Sequence, residues 1–285
     1  MSVGASEGRP LGAPIKGPAA IGVDAQRFLN LTRTLAMTEF KLRFFGSALG
    51  YLWQLMRPLL LFGVLYTVFT QVLDLGSEAK FYPVALLSGI VLFMFLSEST
   101  GTAVTSLVDR ENLVRKVQFP RLVVPLSVVL TALMNLGLNL IAVFVFLIAS
   151  GGTVRLSWLE LPLLGIALAL FAASLSTLLS ALFVRYRDVK PVWEVVLQML
   201  FYATPIFYTL DAVGNPTLER ILLYNPLAVI IQQFRHAVID PSHPNAVAAA
   251  GGWLPLLVPA AILLALMIGA YRYFDREAPR IAEDL

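Results

Sequence analysis

Six long, nearly uncharged stretches dominate this sequence. Each is close to the roughly 20 apolar residues that a helix needs to cross a lipid bilayer. The stretches are residues 52–73, 81–107, 122–149, 161–184, 191–210 and 252–271. The chain is 58% hydrophobic and only 14% charged, against about 25% charged residues in a soluble domain. We therefore predict an all-α integral membrane protein with six transmembrane helices in a single domain, residues 22–285.

Two segments precede the first predicted span. Residues 1–21 are rich in Gly, Pro and Ala with scattered charge, which is typical of a disordered tail. Over 23–45, apolar residues recur at steps of three and four, and the charged residues mostly occupy other faces. This pattern predicts an amphipathic helix that lies in the plane of the membrane surface. Asp24 suits the N-cap position of that helix.

The distribution of basic residues predicts the orientation. An even number of spans places both termini on one side, and 17 of the 21 Lys and Arg residues fall on that side. Because cytoplasmic loops are enriched in Lys and Arg, we predict that both termini are cytoplasmic. The apolar run 221–234 is too short to span the membrane and is broken at Asn225-Pro226. We therefore predict a re-entrant hairpin over 212–238 at the outer face, between spans five and six.

The sequence disfavours several kinds of chemistry. Cysteine is absent, so the chain has no disulfide and no thiolate nucleophile. It contains no phosphate-binding loop of the Walker type, and its two histidines, His236 and His243, fall in the predicted outer hairpin and the loop after it. The net charge of +3 follows from the cytoplasmic loops rather than from a nucleic-acid-binding patch. We expect a chain that is not an enzyme and binds no cofactor.

Glu98 is the charged residue that lies deepest within a predicted span. An acidic side chain at the bilayer centre costs about 2.5–3.5 kcal/mol on an insertion scale, so we expect protein or a water-filled path around it. Glu98 either lines a path or forms a structural hydrogen bond to Asn135 or Asn139, which lie one turn apart on span three. The sequence leaves both possibilities open.

Aromatic residues are concentrated in predicted span five. They are Trp193 at its inner end and Phe201, Tyr202, Phe207 and Tyr208 in its outer half. Such side chains often form belts at membrane boundaries, and their faces can also pack against the apolar faces of sugars. The sequence allows either a belt or a translocation path.

Several segments together resemble one family. KLRFFGSALGYLWQLMRPLL (41–60), RENLVRKVQFPRLVVP (110–125) and RYRDV (185–189) resemble the start of span one and two cytoplasmic loops of permease subunits in ABC exporters. YATPIFY (202–208) and YNPLAVIIQQFR (224–235) resemble the end of span five and the outer hairpin of the same subunits. The resemblance covers about 23–274, and it is to exporters of lipid-linked cell-surface polysaccharides (the Wzm and TagG group).

The resemblance implies that the charged segment 109–119 is a coupling helix that contacts a separate ATPase subunit. The expected contact residues are Glu111, Asn112, Leu113, Arg115, Lys116 and Val117. The residue pattern supports a helix here, with Leu113, Val114 and Val117 on one apolar side. Asp109 is placed to cap this helix, and Pro120 to end it.

The resemblance also implies a homodimer with two ATPase copies, which hold ATP and Mg. The cargo is expected to be a polysaccharide on a polyprenyl pyrophosphate, moved outward across the inner or plasma membrane. At the inner interface, Lys41, Arg43 and Arg57 either bind the pyrophosphate or only snorkel to the headgroups. Glu98 and the span-five aromatics would line the path, and Tyr224, Asn225 and Pro226 would close its outer exit. Two alternatives are a drug or antibiotic exporter and a membrane enzyme that acts on polyprenyl lipids.

Overall fold

The computed structural model describes residues 24–44, 50–72, 81–117 and 119–281, and regular structure in this part of the chain is helical. The predicted tail, 1–21, lies outside these residues. The α-helices are α1 (Ala25–Phe44), α2 (Gly50–Thr67), α3 (Tyr82–Asp109), α4 (Glu111–Lys116), α5 (Val123–Ala149), α6 (Leu161–Arg185), α7 (Val189–Ala203), α8 (Pro216–Leu222), α9 (Pro226–Phe234), α10 (Ala246–Ala250) and α11 (Trp253–Glu277). Short π-helical turns extend α2 and α9 over Val68–Val72 and Arg235–Ile239, and 3-10 turns form at Leu156–Glu160 and Leu210–Val213.

Five helical segments within the described residues are long and apolar enough to cross a membrane. They are Leu52–Val72, Tyr82–Asp109, Val123–Ala149, Leu156–Arg185 and Trp253–Glu277. These segments correspond to predicted spans one, two, three, four and six. The chain therefore has the multi-pass helical architecture expected from its hydropathy, and the count of six spans stays a prediction.

Predicted span five is not one continuous helix. Helix α7 has 15 residues and ends at Ala203, so the prediction of an unbroken helix over 191–210 is wrong. Thr204 adopts an extended conformation, with φ −98° and ψ 138°. Pro205 explains the break, because the proline ring disfavours the helical conformation in the preceding residue and supplies no amide hydrogen.

Two short helices occupy the predicted outer hairpin 212–238. Asn215 caps α8 by accepting from the amides of Thr217 and Leu218, and Asn225 caps α9 by accepting from the amide of Leu227 at 3.0 Å. Helix α9 is buried against α3 and α6. Two helices therefore form within the predicted segment, and their arrangement as a re-entrant hairpin stays a prediction.

Helix α1 begins at the predicted capping residue. The Asp24 carboxylate accepts from the amides of Gln26 and Arg27, at 2.9 and 3.1 Å. Helix α1 packs along α5, where the hydroxyl of Thr131 donates to the carbonyl of Ala36 at 3.3 Å. This contact fixes α1 to the bundle along one side, and the location of α1 at the membrane surface stays a prediction.

Helix α3 is the centre of the bundle. Within the most apolar window of each span, 78% of the residues of α3 are buried, against 6% in the span that contains α2 and 11% in α11. Helices α5 and α6 both pack against α3, and they also pack against each other. Polar groups on α3 therefore face other protein groups or an internal cavity, which is the setting that makes a buried acid tolerable.

Candidate functional site

Glu98 of α3 joins four helices through one carboxylate. Asn135 of α5 donates to its Oε1 at 2.7 Å, and Gln54 of α2 donates to its Oε2 at 3.4 Å. Arg43, at the end of α1, forms an ion pair with the same carboxylate. The hydrogen bond to Asn135 is one of the two structural contacts that the sequence allowed.

The same carboxylate also lines a cavity of about 630 Å³. The polar and aromatic lining includes Arg43, Gln54, Arg57, Glu98, Asn139 and Phe201. The two roles considered for Glu98, structural and lining, are therefore not exclusive. The cavity brings together the candidate path residues Glu98 and Phe201 with the candidate pyrophosphate ligands Arg43 and Arg57.

Two polar groups of the cavity are available to a ligand. Arg57 is exposed and makes no ion pair with another described residue. Asn139 is only 7% exposed, and its Oδ1 accepts no hydrogen bond from the described part of the chain. A buried acceptor without a donor costs about 1–3 kcal/mol, so a ligand or water that donates to Asn139 gains from binding there.

Lys41 does not belong to this cavity. It lies on another face of α1, beside Asn30, Arg33 and Met37, and is exposed. The sequence grouped Lys41 with Arg43 and Arg57 because all three fall near the predicted inner boundary. Helical geometry separates Lys41 from Arg43 because residues two apart on a helix do not share a face.

Four of the predicted aromatic residues of span five form a connected cluster: Phe201, Tyr202, Phe207 and Tyr208. Phe201 packs edge-on against Phe93 of α3, with ring centroids 5.1 Å apart, and also against Tyr202. Phe207 contacts Tyr208 at 5.1 Å and stacks on Phe69 at 4.9 Å. The cluster therefore connects the end of α7 to α3 and to the end of span one.

Trp193 and Tyr202 have different surroundings within this set. The indole of Trp193 donates to the hydroxyl of Thr100 at 3.0 Å, which joins the start of α7 to α3. Tyr202 is 62% exposed at the opposite end of α7. Trp193 thus has a structural contact. Tyr202 packs against Phe201 and Phe207, and the exposed part of its ring is open to lipid, a second chain or cargo.

Arg235 is the main functional residue that the sequence did not reveal. It falls in the predicted outer hairpin, where no role was assigned to it, and it is only 2% exposed. Its guanidinium donates to the carbonyls of Ile206 and Tyr208, at 2.7 and 3.2 Å, and the hydroxyl of Tyr82 donates to the carbonyl between them, that of Phe207, at 2.8 Å. These donors satisfy the carbonyls that the break after α7 leaves without helical partners. No local pattern around position 235 signals this role.

One of the predicted gate residues, Asn225, contacts the break that follows α7. The side-chain amide of Asn225 donates to the hydroxyl of Thr204 at 2.9 Å, in addition to capping α9. Tyr224 is 39% exposed, and Pro226 is buried in the first turn of α9. The hairpin and the end of α7 are therefore held together by Asn225 and Arg235. A gating role for Tyr224, Asn225 and Pro226 stays a prediction.

The predicted coupling segment contains a shorter helix than expected. Helix α4 covers six residues of the predicted 109–119, and the Glu111 and Arg115 side chains form an ion pair at 2.7 Å. The proposed cap is wrong, because the Asp109 carboxylate accepts from the hydroxyl of Thr105 instead. Arg110 occupies the N-cap position.

The apolar side of α4 is divided. Val114 is 3% exposed and packs against Phe119 and Phe274, whereas Leu113 and Val117 are 37% and 49% exposed. The expectation that all three share one surface is wrong. Val114 anchors the helix, while Leu113 and Val117 form an exposed apolar pair beside the exposed residues Asn112 and Arg115.

Comparison with known families decides the identity of this architecture. Residues 30–239, from α1 through the π turn after α9, match the family model described as "ABC-2 type transporter". The chain belongs to the ABC-2 type transporter family. The matched region contains the cavity, α4, the break after α7 and the buried Arg235. The sequence-based resemblance to ABC exporter permeases is thereby confirmed.

Named relatives of this ABC-2 transporter chain include export permeases. It is 27% identical over 260 residues to "O-antigen export system permease protein RfbA" of Myxococcus xanthus. The aligned region covers 91% of this chain and 96% of the relative. It is 31% identical over 207 residues to a protein of the same name from Klebsiella pneumoniae, covering 72% of this chain and 79% of the relative. It is 22% identical over 210 residues to "Polysialic acid transport protein KpsM" of Escherichia coli, covering 72% and 80%.

Proposed function

We propose that this chain is the membrane subunit of an ATP-driven exporter that moves a cell-surface polysaccharide out of the cytoplasm. The observation that carries the proposal is the extent of the similarity to an O-antigen export permease, which covers 91% of this chain and 96% of the relative. Because the aligned region covers most of both proteins, the match supports the same domain organisation in the two chains. The relatives are named for the export of O-antigen and for the transport of polysialic acid, and both of these are polysaccharides.

The cavity supports a cargo with an anionic group. Arg57 offers a cation that forms no ion pair with another described residue, and Arg43 offers one whose charge Glu98 balances. Guanidinium groups bind phosphate oxygens through paired hydrogen bonds. We therefore propose that the polysaccharide travels on a polyprenyl pyrophosphate, and that the pyrophosphate contacts Arg43 and Arg57 when the carrier enters the cavity from the lipid.

Helix α4 supports docking of a separate ATPase. Its exposed Leu113 and Val117 form a small apolar contact, and Glu111, Asn112 and Arg115 provide polar partners. Val114 fixes the helix to the bundle. An apolar contact with a polar rim is the usual composition of a specific interface. ATP and Mg would then belong to the partner subunit.

The size of the proposed cargo supports a homodimer. The cavity of about 630 Å³ has the volume of a small-molecule site rather than that of a polymer channel. Helix α7 exposes Val192, Val195, Met199 and Tyr202, and two such faces could enclose a wider path. We propose that two chains line the path together, with both termini cytoplasmic.

Deletion of the gene, followed by complementation, tests the proposal. We expect the deletion strain to lose surface polysaccharide and to accumulate polyprenyl-linked glycan inside the cell, as measured by mass spectrometry of the lipid extract. Complementation with the intact chain should reverse both effects. Normal surface glycan together with increased sensitivity to an antibiotic would overturn the proposal in favour of a drug exporter.

A further inference from the structure

Two ion pairs extend from α1 one helical turn apart. Glu39 pairs with Arg110, and Arg43 pairs with Glu98. Residues four apart lie on the same face of a helix, about 6 Å apart along its axis. One face of α1 therefore contacts both the start of the docking helix α4 and the carboxylate of the cavity.

Arg110 is fixed to α4 through its backbone. It is the N-cap residue of α4, and its carbonyl accepts from the amides of Leu113 and Val114, at 2.9 and 3.0 Å. Its side chain also donates to the hydroxyl of Ser127 on α5, at 3.2 Å. Burial lowers the pKa of the Arg110 guanidinium, but arginine side chains are effectively always protonated in proteins. A displacement of α4 therefore moves a charged group held by Glu39.

Glu98 of α3 forms the second of these ion pairs, with Arg43 of α1. Apart from Arg43, its carboxylate is bound by the side-chain amides of Asn135 and Gln54, which belong to α5 and α2. These neutral donors keep the carboxylate in place without balancing its charge. Arg43 is therefore the charged partner of Glu98, and it comes from the same helix face that holds Arg110.

Helix α1 is well suited to act as one rigid unit. Between its two ends, Ala36 is fully buried and its carbonyl accepts from Thr131 of α5. Phe28, Leu31 and Leu35 pack against the apolar cluster that contains Val114. Since a packed helix shifts as a body, a movement at Glu39 reaches Arg43 within one turn.

We propose that Glu39 and Arg43 are positioning residues that couple the docking helix α4 to the cavity. When the partner ATPase moves α4, the Glu39–Arg110 pair shifts α1, and Arg43 moves relative to Glu98. That shift changes how much of the Arg43 charge faces the anionic group of the cargo. The inference rests on the proposed function, because it requires an ATPase partner and an anionic cargo.

Charge reversal tests the connection in the assembled transporter, with the chain and its ATPase co-purified in lipid nanodiscs. We expect Glu39→Arg and Arg110→Glu each to keep the ATPase bound and its basal hydrolysis rate, but to reduce glycan exported per ATP by at least about tenfold. The double variant, Glu39→Arg with Arg110→Glu, should recover most of the lost coupling. A merely structural role would instead lower the amount of assembled transporter in the single variants and leave export per ATP unchanged.

The control variant is Arg33→Glu, which reverses an exposed charge on another face of α1 and should export normally. If a reversal variant does not accumulate in the membrane, Glu39→Gln and Arg110→Gln are compared instead, and both should reduce coupling. Normal export per ATP in the single variants, or no recovery in the double variant, would overturn the inference. An intact chain that binds no ATPase would overturn the proposed function.

Discussion

The guanidinium of Arg235 donates to the carbonyl of Ile206 at 2.7 Å across the interior of the protein. The two residues belong to different parts of the chain, the π turn after α9 and the break after α7. Their contact allows backbone without helical hydrogen bonds to lie inside a membrane domain, where each unsatisfied backbone group costs several kcal/mol. It also makes the position of α9 depend on the geometry of that break.

Replacement of Arg235 should lower stability more than replacement of an exposed arginine. Arg235→Met keeps much of the side-chain volume but leaves the carbonyls of Ile206 and Tyr208 without donors, at about 1–3 kcal/mol each. We expect the melting temperature of the purified chain in detergent to fall by at least about 5 °C. The matched control, Arg272→Met on the exposed side of α11, should change it little. Equal melting temperatures for the two variants would contradict the role given to Arg235.

Gly89 provides a second test of the same region. A Cβ at Gly89 would lie 3.2 Å from the carbonyl oxygen of Ile206 and 3.3 Å from its Cα, whereas a Cβ at Gly137 would meet nothing within 4 Å. Gly89→Ala should therefore destabilise the protein by about 1–3 kcal/mol. Gly137→Ala should be neutral or stabilising by up to about 1 kcal/mol, because alanine favours the helix. Thermal unfolding of both variants in one detergent decides the point, and the same sign for both would be evidence against close packing at Gly89.

Local sequence patterns predicted some of this geometry and missed the rest for clear reasons. The sequence offered Asn135 or Asn139 as a structural partner of Glu98, because the helical repeat and the cost of a buried acid restrict the choices, and the contact is made by Asn135. The Arg43–Glu98 contact was missed because Arg43 falls outside the predicted spans, near the end of the predicted surface helix. The Arg235–Ile206 contact was missed because its acceptor is a backbone carbonyl, which no residue type marks. Pro205 is present in the sequence, but the apolar residues on both sides of it give the segment 191–210 the length of a transmembrane span. The break in the helix was therefore not predicted.

The two sides of α4 should respond differently to charge. A double variant, Leu113→Asp with Val117→Asp, places charges on exposed positions, so the chain should accumulate normally. It should bind its ATPase at least about tenfold more weakly, because the exposed apolar contact is lost. Val114→Asp, at the buried position, should instead reduce the amount of folded protein.

Size-exclusion chromatography separates these outcomes for α4. Folded chain is measured as the monodisperse fraction, and ATPase binding is measured by co-elution with the partner subunit. If the double variant binds the ATPase normally, α4 is not the docking element. If Val114→Asp folds as well as the double variant, the division between anchoring and exposed residues is wrong.

Tyr202 and Trp193 should also differ. Tyr202 is largely exposed, so Tyr202→Ala should leave assembly intact but lower export by about two- to tenfold if its ring guides sugar faces. Trp193→Phe removes the hydrogen bond to Thr100 and should lower thermal stability with a smaller effect on export per folded chain. Surface glycan and folded permease are measured in the same cells. Normal export per folded chain in Tyr202→Ala would leave Tyr202 as a lipid-facing anchor.

Reconstitution tests the central claim most directly. The chain and its partner ATPase are placed in liposomes that contain a polyprenyl pyrophosphate glycan, with the ATP-binding side of the complex facing outward. Glycan that becomes protected from an externally added glycosidase is then measured over time. We predict ATP-dependent protection with the intact chain. Protection should be several-fold less with Arg57→Gln, because this variant removes a cavity cation that pairs with no other described residue. Protection that is equally fast without ATP, or absent with ATP and the bound ATPase, would contradict the account.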